Sequence, residues 1–285
     1  MKILTQLLGD LPLQQFLDDA FQRQPFSMPD HAKPLAHLLD WDVVREVIGA
    51  KRSVLRIIKD GKMVRDEADC DFDEAMQYYR QGCTLLLRYA ERSHQGLADL
   101  AADFADGFHT PVDIQAYCTP GREQAFLWHY DVEEVFVLQT RGAKTYEIRP
   151  NTVHPNPLLD SIPDDLQYER ERTPLKLDVT IAAGDWLYLP SGWWHIARTQ
   201  EESMHLSVGL MPVANTRLFE FLGHWLAQSP RWRMRLPLFI ADPLEEKKFY
   251  DALLKSLGSM LTRDLEGEEV RELFIAWLKG RGAAK

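Results

Sequence analysis

A chain of 285 residues, 45% hydrophobic and 11% aromatic, holds enough apolar material for one large core and excludes wholesale disorder. No apolar run nears the roughly 18 residues that cross a bilayer, and Met1 to Asp10 lacks the run and small-residue cleavage site of a signal peptide, so neither a membrane span nor a leader is expected. The formal net charge of −10 argues against direct nucleic-acid binding, which needs a basic stripe, and suits a basic polypeptide partner instead.

In chain order, Leu13, Phe16, Leu17, Ala20 and Phe21 have the spacing of an amphipathic helix. Ser53 to Lys59 reads as a strand closed by an Asp60-Gly61 turn, and Asp73 to Gln81 as a helix stopped near Gly82. Thr84 to Tyr89 reads as a buried strand and Gly96 to Phe104 as a further helix. The three cysteines, Cys70, Cys83 and Cys118, form neither a disulfide framework nor a zinc pair, and point to a reduced, cytoplasmic setting.

From Pro111 to Pro212 short β-type runs follow one another: Val112 to Tyr117, Glu134 to Gln139, Lys144 to Ile148, Asp178 to Ala182, Trp186 to Leu189 and Met204 to Leu210. Gly142, Gly184 and the Pro190-Ser191-Gly192 corner separate several of them, which suggests a sandwich or barrel. The insert from Asn151 to Pro174, rich in proline and acidic residues, reads as a long surface loop of the kind that covers a site. After Asn215 the pattern is helical again, with apolar faces at Leu218, Phe219, Phe221, Leu222, Trp225 and Leu226, at Phe249, Leu253, Leu254 and Leu257, and at Leu273, Phe274, Trp277 and Leu278. The expected organisation is an N-terminal region 1–110 packing on a barrel core 111–213, followed by a helical region 214–285.

His129-Tyr130-Asp131 is the centre of the chemistry. On a strand, residues two apart face the same side, so both donors can reach one ion while Tyr130 points away. With a distant second histidine the set becomes a 2-His-1-carboxylate triad, which leaves open positions on an octahedral metal. His195 is the candidate, delivered by the run Gly184-Asp185-Trp186-Leu187-Tyr188-Leu189-Pro190-Ser191-Gly192-Trp193-Trp194 to a barrel mouth. Read alone, His195 also fits a hydrogen-bonded core histidine, and Lys144 fits a solvated hairpin charge after the Thr140-Arg141-Gly142 turn.

The order H-x-D, then G-x-K, then G-D-x-x-Y-x-P-x-G-x-x-H resembles the JmjC-type, cupin-fold 2-oxoglutarate oxygenases, and within them the bacterial ribosomal oxygenase branch. The resemblance covers Ser53 to Val213 and includes the run Glu134 to Tyr146. It implies a mainly β fold with flanking helices, a double-stranded β-helix of the jelly-roll or cupin kind, plus the C-terminal helical segment. It implies Fe(II) on His129, Asp131 and His195, with 2-oxoglutarate and O2 as cosubstrates. Lys144 matches the cation that pairs with the remote carboxylate of 2-oxoglutarate, for which burial demands a charged partner. Tyr117 matches a residue that hydrogen-bonds the same cosubstrate, Gln115 stands where an asparagine is common in relatives, and Ser207 lies on a strand face that family members turn inward.

The implied reaction is hydroxylation of a protein side chain, with a ribosomal protein as the family's substrate, releasing succinate and CO2. A small-molecule or amino-acid hydroxylase is one alternative, and a non-catalytic metal-binding cupin module another; the module has no use for Lys144. Trp128, Trp193 and Trp194 are read either as pocket wall or as barrel filling, with Trp193-Trp194 the best wall candidate. The tail resembles the dimerisation helices of the ribosomal branch, so a homodimer through the C-terminal helices is expected. The residues after Val213 are too few to hold a winged helix as well.

Overall fold

Period-two alternation builds the fold, because each central strand gives one face to helices and the other to a second sheet. In a computed structural model, which describes residues 2–121, 126–153, 155–157, 174–211 and 217–278, the strands are β1 (Phe26–Met28), β2 (Val54–Lys59), β3 (Lys62–Arg65), β4 (Thr84–Arg88), β5 (Val112–Thr119), β6 (Glu134–Arg141), β7 (Ala143–Arg149), β8 (Leu177–Ala182), β9 (Trp186–Leu189), β10 (Trp194–Arg198) and β11 (Ser203–Leu210). Eight form one sheet in the order β1-β9-β6-β11-β5-β4-β2-β3, and three form another in the order β10-β7-β8. The pairings are antiparallel throughout the described residues.

On β6, Phe136 and Leu138 join the helix-side core, while Val135 and Val137 pack with Tyr146 and Ile148 of β7, Ile181 of β8, and Leu187 and Leu189 of β9. On β5 and β11, Ile114, Ala116, Cys118, Leu206 and Val208 likewise belong to the helix side. The alternate positions, Gln115, Tyr117, Thr119, His205 and Ser207, therefore turn toward the small sheet. This is the double-stranded β-helix expected from the sequence.

The outer face of the large sheet is covered by α1 (Lys2–Leu8), α2 (Leu13–Asp19), α3 (Trp41–Ala50), α4 (Phe72–Arg80) and α5 (Gln95–Phe108). Their buried side chains include Leu7, Phe16, Val44, Ala75 and Phe104. Asp103 accepts from the first two amides of α1, Lys2 and Ile3, at 3.0 and 2.9 Å, and so ties that helix to α5. Asp40 caps α3 by accepting from Asp42 and Val43. The N-terminal region also supplies β1 to β4, so Met1–Pro212 is one compact unit.

Val213–Lys285 is a second unit, with α6 (Arg217–Leu226), α7 (Pro243–Leu265) and α8 (Glu268–Leu278). Its small core joins Phe221, Leu222 and Val270 to Trp225, Phe274 and Trp277. No residue of α7 is buried, and Leu254 on its apolar face is 66% exposed. Most of the expected loop 151–174 lies outside the described residues.

Candidate metal centre and adjoining pocket

Two separate segments are locked together to make the site. The amide of His129 donates to the carbonyl of His195 at 3.1 Å, and the amide of His195 donates back at 2.8 Å, forming an isolated antiparallel bridge. The corner before β10 is fastened to the Asp131 segment as well. Gly192 donates its amide to the Asp131 carbonyl at 2.8 Å, from a backbone with φ of +78° that a side chain would strain. Ser191 donates its hydroxyl to the Val132 carbonyl at 2.6 Å and its amide to the Glu134 carboxylate at 3.2 Å. The Tyr188 hydroxyl also donates to Glu134. Pro190-Ser191-Gly192 is thus a clamp as well as a turn.

This clamp brings His129, Asp131 and His195 together, their donor atoms all within 4.8 Å of one another. His195 Nε2 stands 3.5 Å from an Asp131 oxygen, and the two imidazole centroids are 4.2 Å apart. Tyr130 points the other way, is buried, and meets Trp194 edge-to-face at 5.1 Å. The donor set fits a divalent ion on a second count. His129 Nδ1 lies 2.7 Å from the Leu127 carbonyl, and His195 Nδ1 lies 3.0 Å from the Trp193 carbonyl. A carbonyl only accepts, so Nδ1 carries the proton in both rings and Nε2 presents its lone pair. Burial and the neighbouring His129 hold the His195 pKa below the usual histidine range, which keeps the ring neutral.

Lys144 and Tyr146 share the inward face of β7. Lys144 is 3% exposed, so it is not a solvated hairpin charge. Its ammonium donates to the Thr119 hydroxyl at 3.0 Å and lies 5.8 Å from the Tyr117 ring centre, with no carboxylate in ion-pair range among the described residues. Burial pushes its pKa down to about 7. The Tyr117 hydroxyl donates to Gln115 Oε1 at 3.1 Å.

Lys144, Tyr117, Ser207 and the three candidate ligands line one pocket, about 470 Å³ with its open mouth included. Gln115 is not among the lining residues and reaches the pocket only through Tyr117. Of the two readings of the tryptophans, barrel filling holds for Trp193 and Trp194, and none of the three is among the residues that line the pocket. Trp194 is buried, Trp193 packs on the barrel core, and Trp128 lies under the Arg149 guanidinium at 4.9 Å. Sequence reading passed over Tyr146 and His205, each two residues from a chosen candidate on the same strand and signalled by period two alone.

An antiparallel double-stranded β-helix with a clustered His-Asp-His set at one end defines a cupin-type metal-binding fold. Residues 88–218 match the JmjC domain family. It is 24% identical over 221 residues to the bifunctional lysine-specific demethylase and histidyl-hydroxylase NO66 of Drosophila persimilis, covering 73% of this chain and 31% of that one. Against the NO66 protein of Drosophila yakuba it is 26% identical over 262 residues, covering 86% and 38%. The chain therefore spans little more than a third of these relatives. Among solved structures, the ribosomal oxygenase YcfD of Escherichia coli shares the fold with a TM-score of 0.62 at 17% identity, over 97% of this chain and 72% of that one. YcfD in complex with cobalt and 2-oxoglutarate matches with a TM-score of 0.60 at 18% identity, over 97% and 73%.

Proposed function

We propose that this chain is an Fe(II)- and 2-oxoglutarate-dependent oxygenase that hydroxylates a polypeptide side chain, with a ribosomal protein as substrate. The observation that carries this reading is the pairing of a three-donor metal set with a buried Lys144 that has no carboxylate partner among the described residues, in one pocket. A binding module would gain nothing from a buried cation, whereas a bound dicarboxylate would give it a partner. Iron in such a site, with 2-oxoglutarate and O2, supplies oxidative decarboxylation to succinate and CO2 and the transfer of one oxygen atom to a C–H bond. The chain's part is positional. His129, Asp131 and His195 would hold the ion, Lys144 would anchor the remote carboxylate, and Val135, Val137 and Leu189 line the pocket with apolar surface.

A polypeptide substrate is supported by the net charge of −10, which favours basic partners, and by the relatives, whose names describe histidyl hydroxylation and ribosomal oxygenation. We also place the protein in the cytoplasm, in keeping with its three free cysteines. Pairing with a second copy through the C-terminal helices is supported by apolar side chains left uncovered there, including Phe219 at 70% and Leu254 at 66% exposure. Sedimentation of Leu254→Glu should then show a shift toward monomer.

The test of the oxygenase reading is succinate release from 2-oxoglutarate with ribosomal proteins present, together with mass spectrometry for one added oxygen. Release should require Fe(II) and vanish in His129→Ala. Absence of succinate above background with every substrate offered would remove the reading.

A further inference from the structure

We propose that His205 is a cosubstrate-binding residue, sharing with Lys144 the remote carboxylate of 2-oxoglutarate through a ring N–H. The inference rests on the oxygenase reading above and deepens it. His205 lies on β11 opposite Tyr117 of β5, and the two rings stack in parallel, 4.6 Å between centroids with 7° between planes. β11 keeps unbroken register with β5 through Met204 and His205, so period-two alternation turns His205 to the same side as Ser207. The ring is 5% exposed and lines the same pocket as Lys144.

Neither ring nitrogen has a hydrogen-bond partner among the described residues, and Nδ1 is sealed from solvent. An imidazole nitrogen buried without a partner is unfavourable, and such groups recur where a ligand completes the bonding. Burial, and after it the Lys144 charge, hold the ring neutral, so one nitrogen carries a proton to donate. Lys144 is under-satisfied as well, donating to Thr119 and to no other group among the described residues. A carboxylate offers two oxygens with about four acceptor sites, enough for an ammonium and an imidazole N–H together. His205 does not belong to the metal cluster, whose three donors lie together without it. Tyr117 fixes the plane of the ring, and strand alternation on β11 fixes the side to which it points.

The test separates the two ends of the cosubstrate. Kd for 2-oxoglutarate and for 2-oxobutyrate, which keeps the 2-oxo acid end but lacks the remote carboxylate, is measured by calorimetry on the Mn(II)-loaded protein. In His205→Phe, which preserves the stack on Tyr117 and removes the N–H, 2-oxoglutarate should weaken roughly 10- to 100-fold, the range of a hydrogen bond to a charged group. Binding of 2-oxobutyrate should stay unchanged, and His205→Gln, which keeps a donor, should recover most of the loss. Equal weakening of both ligands, or 2-oxoglutarate binding within about threefold of wild type in the phenylalanine variant, overturns the proposal and leaves His205 a packing residue. If the phenylalanine variant fails to fold, His205→Leu, which also removes the N–H, is measured with the same two ligands and judged by the same outcomes. A wild-type protein that does not prefer 2-oxoglutarate over 2-oxobutyrate fails at Lys144 and removes the oxygenase reading itself.

Discussion

Lys144→Met should make the protein more stable and unable to hold 2-oxoglutarate. Lys144 is buried beside Thr119 with no carboxylate partner among the described residues, and burial pushes its pKa from 10.5 to about 7. At about 1.4 kcal/mol per pH unit, that fall amounts to about 5 kcal/mol by which folding disfavours the ammonium form. The sign follows from the direction. The folded value lies below the unfolded one, so the penalty is fully present below about pH 7 and disappears as pH rises toward 10.5. Methionine keeps the chain length and removes the charge, while leaving the Thr119 hydroxyl with Thr84 as its remaining donor and the packing imperfect. A net gain of about 3 kcal/mol is expected at pH 7, a rise in melting temperature of roughly 6–12 °C, shrinking toward zero by pH 10. Thermal unfolding across that pH range, with and without 2-oxoglutarate and Mn(II), measures both effects. The metal-loaded wild type should be stabilised by the ligand and the variant should not. A variant that is less stable at pH 7, or whose advantage does not depend on pH, would refute the reasoning and make Lys144 a structural residue.

Asp131→Ala should weaken cobalt binding roughly 100-fold or more, read from the visible spectrum, and abolish succinate release while leaving the fold intact. Metal affinity should fall in acid as protons compete for the Nε2 atoms of His129 and His195. Burial holds His195 below the usual histidine range, so its contribution to the loss should come at more acid pH than for a free imidazole, as a metal titration against pH would show. Gly142→Ala should cost about 3 kcal/mol or more in denaturant unfolding. The added carbon would sit 2.0 Å from the Glu202 carbonyl oxygen, on a backbone with φ of +64°.

How far the sequence carries the site depends on which physical rule each residue obeys. His129 and Asp131 were legible because two-residue spacing puts donors on one side of an extended chain, and the structure gathers both with His195. The clamp that gathers them was not, since Ser191 and Gly192 bind backbone carbonyls, and their hydrogen bonds leave no pattern in residue types. Lys144 read two ways because a hairpin lysine is ordinarily solvated. Counting by twos along β7 to Tyr146 and Ile148 shows that it shares an apolar, inward face. Trp193 and Trp194 read two ways, as wall or as filling, because an exposed aromatic and a core aromatic look alike in sequence; the structure puts both with the barrel core. Short elements such as β1 escaped detection altogether, at three residues. In α7 the spacing of Phe249, Leu253, Leu254 and Leu257 marks an apolar face correctly, yet periodicity cannot say what covers it.

The two candidate imidazole ligands share one local device, and it explains how a metal site could be held rigidly at the end of a barrel. Each ring is anchored through Nδ1 to the carbonyl two residues earlier in its own strand or turn. The two backbones are then joined by a reciprocal pair of amide bonds between His129 and His195 themselves. Ring orientation therefore follows from backbone geometry and from no charged neighbour. A carboxylate in that role would add negative charge beside Asp131, whereas a carbonyl fixes the tautomer without doing so. The same economy runs deeper in the barrel, where Thr119 orients Lys144 without neutralising it. One end of the pocket carries the Asp131 carboxylate with two imidazole Nε2 atoms, and the other carries Lys144, without a carboxylate partner among the described residues. That arrangement is complementary to a divalent ion and a dicarboxylate taken up together.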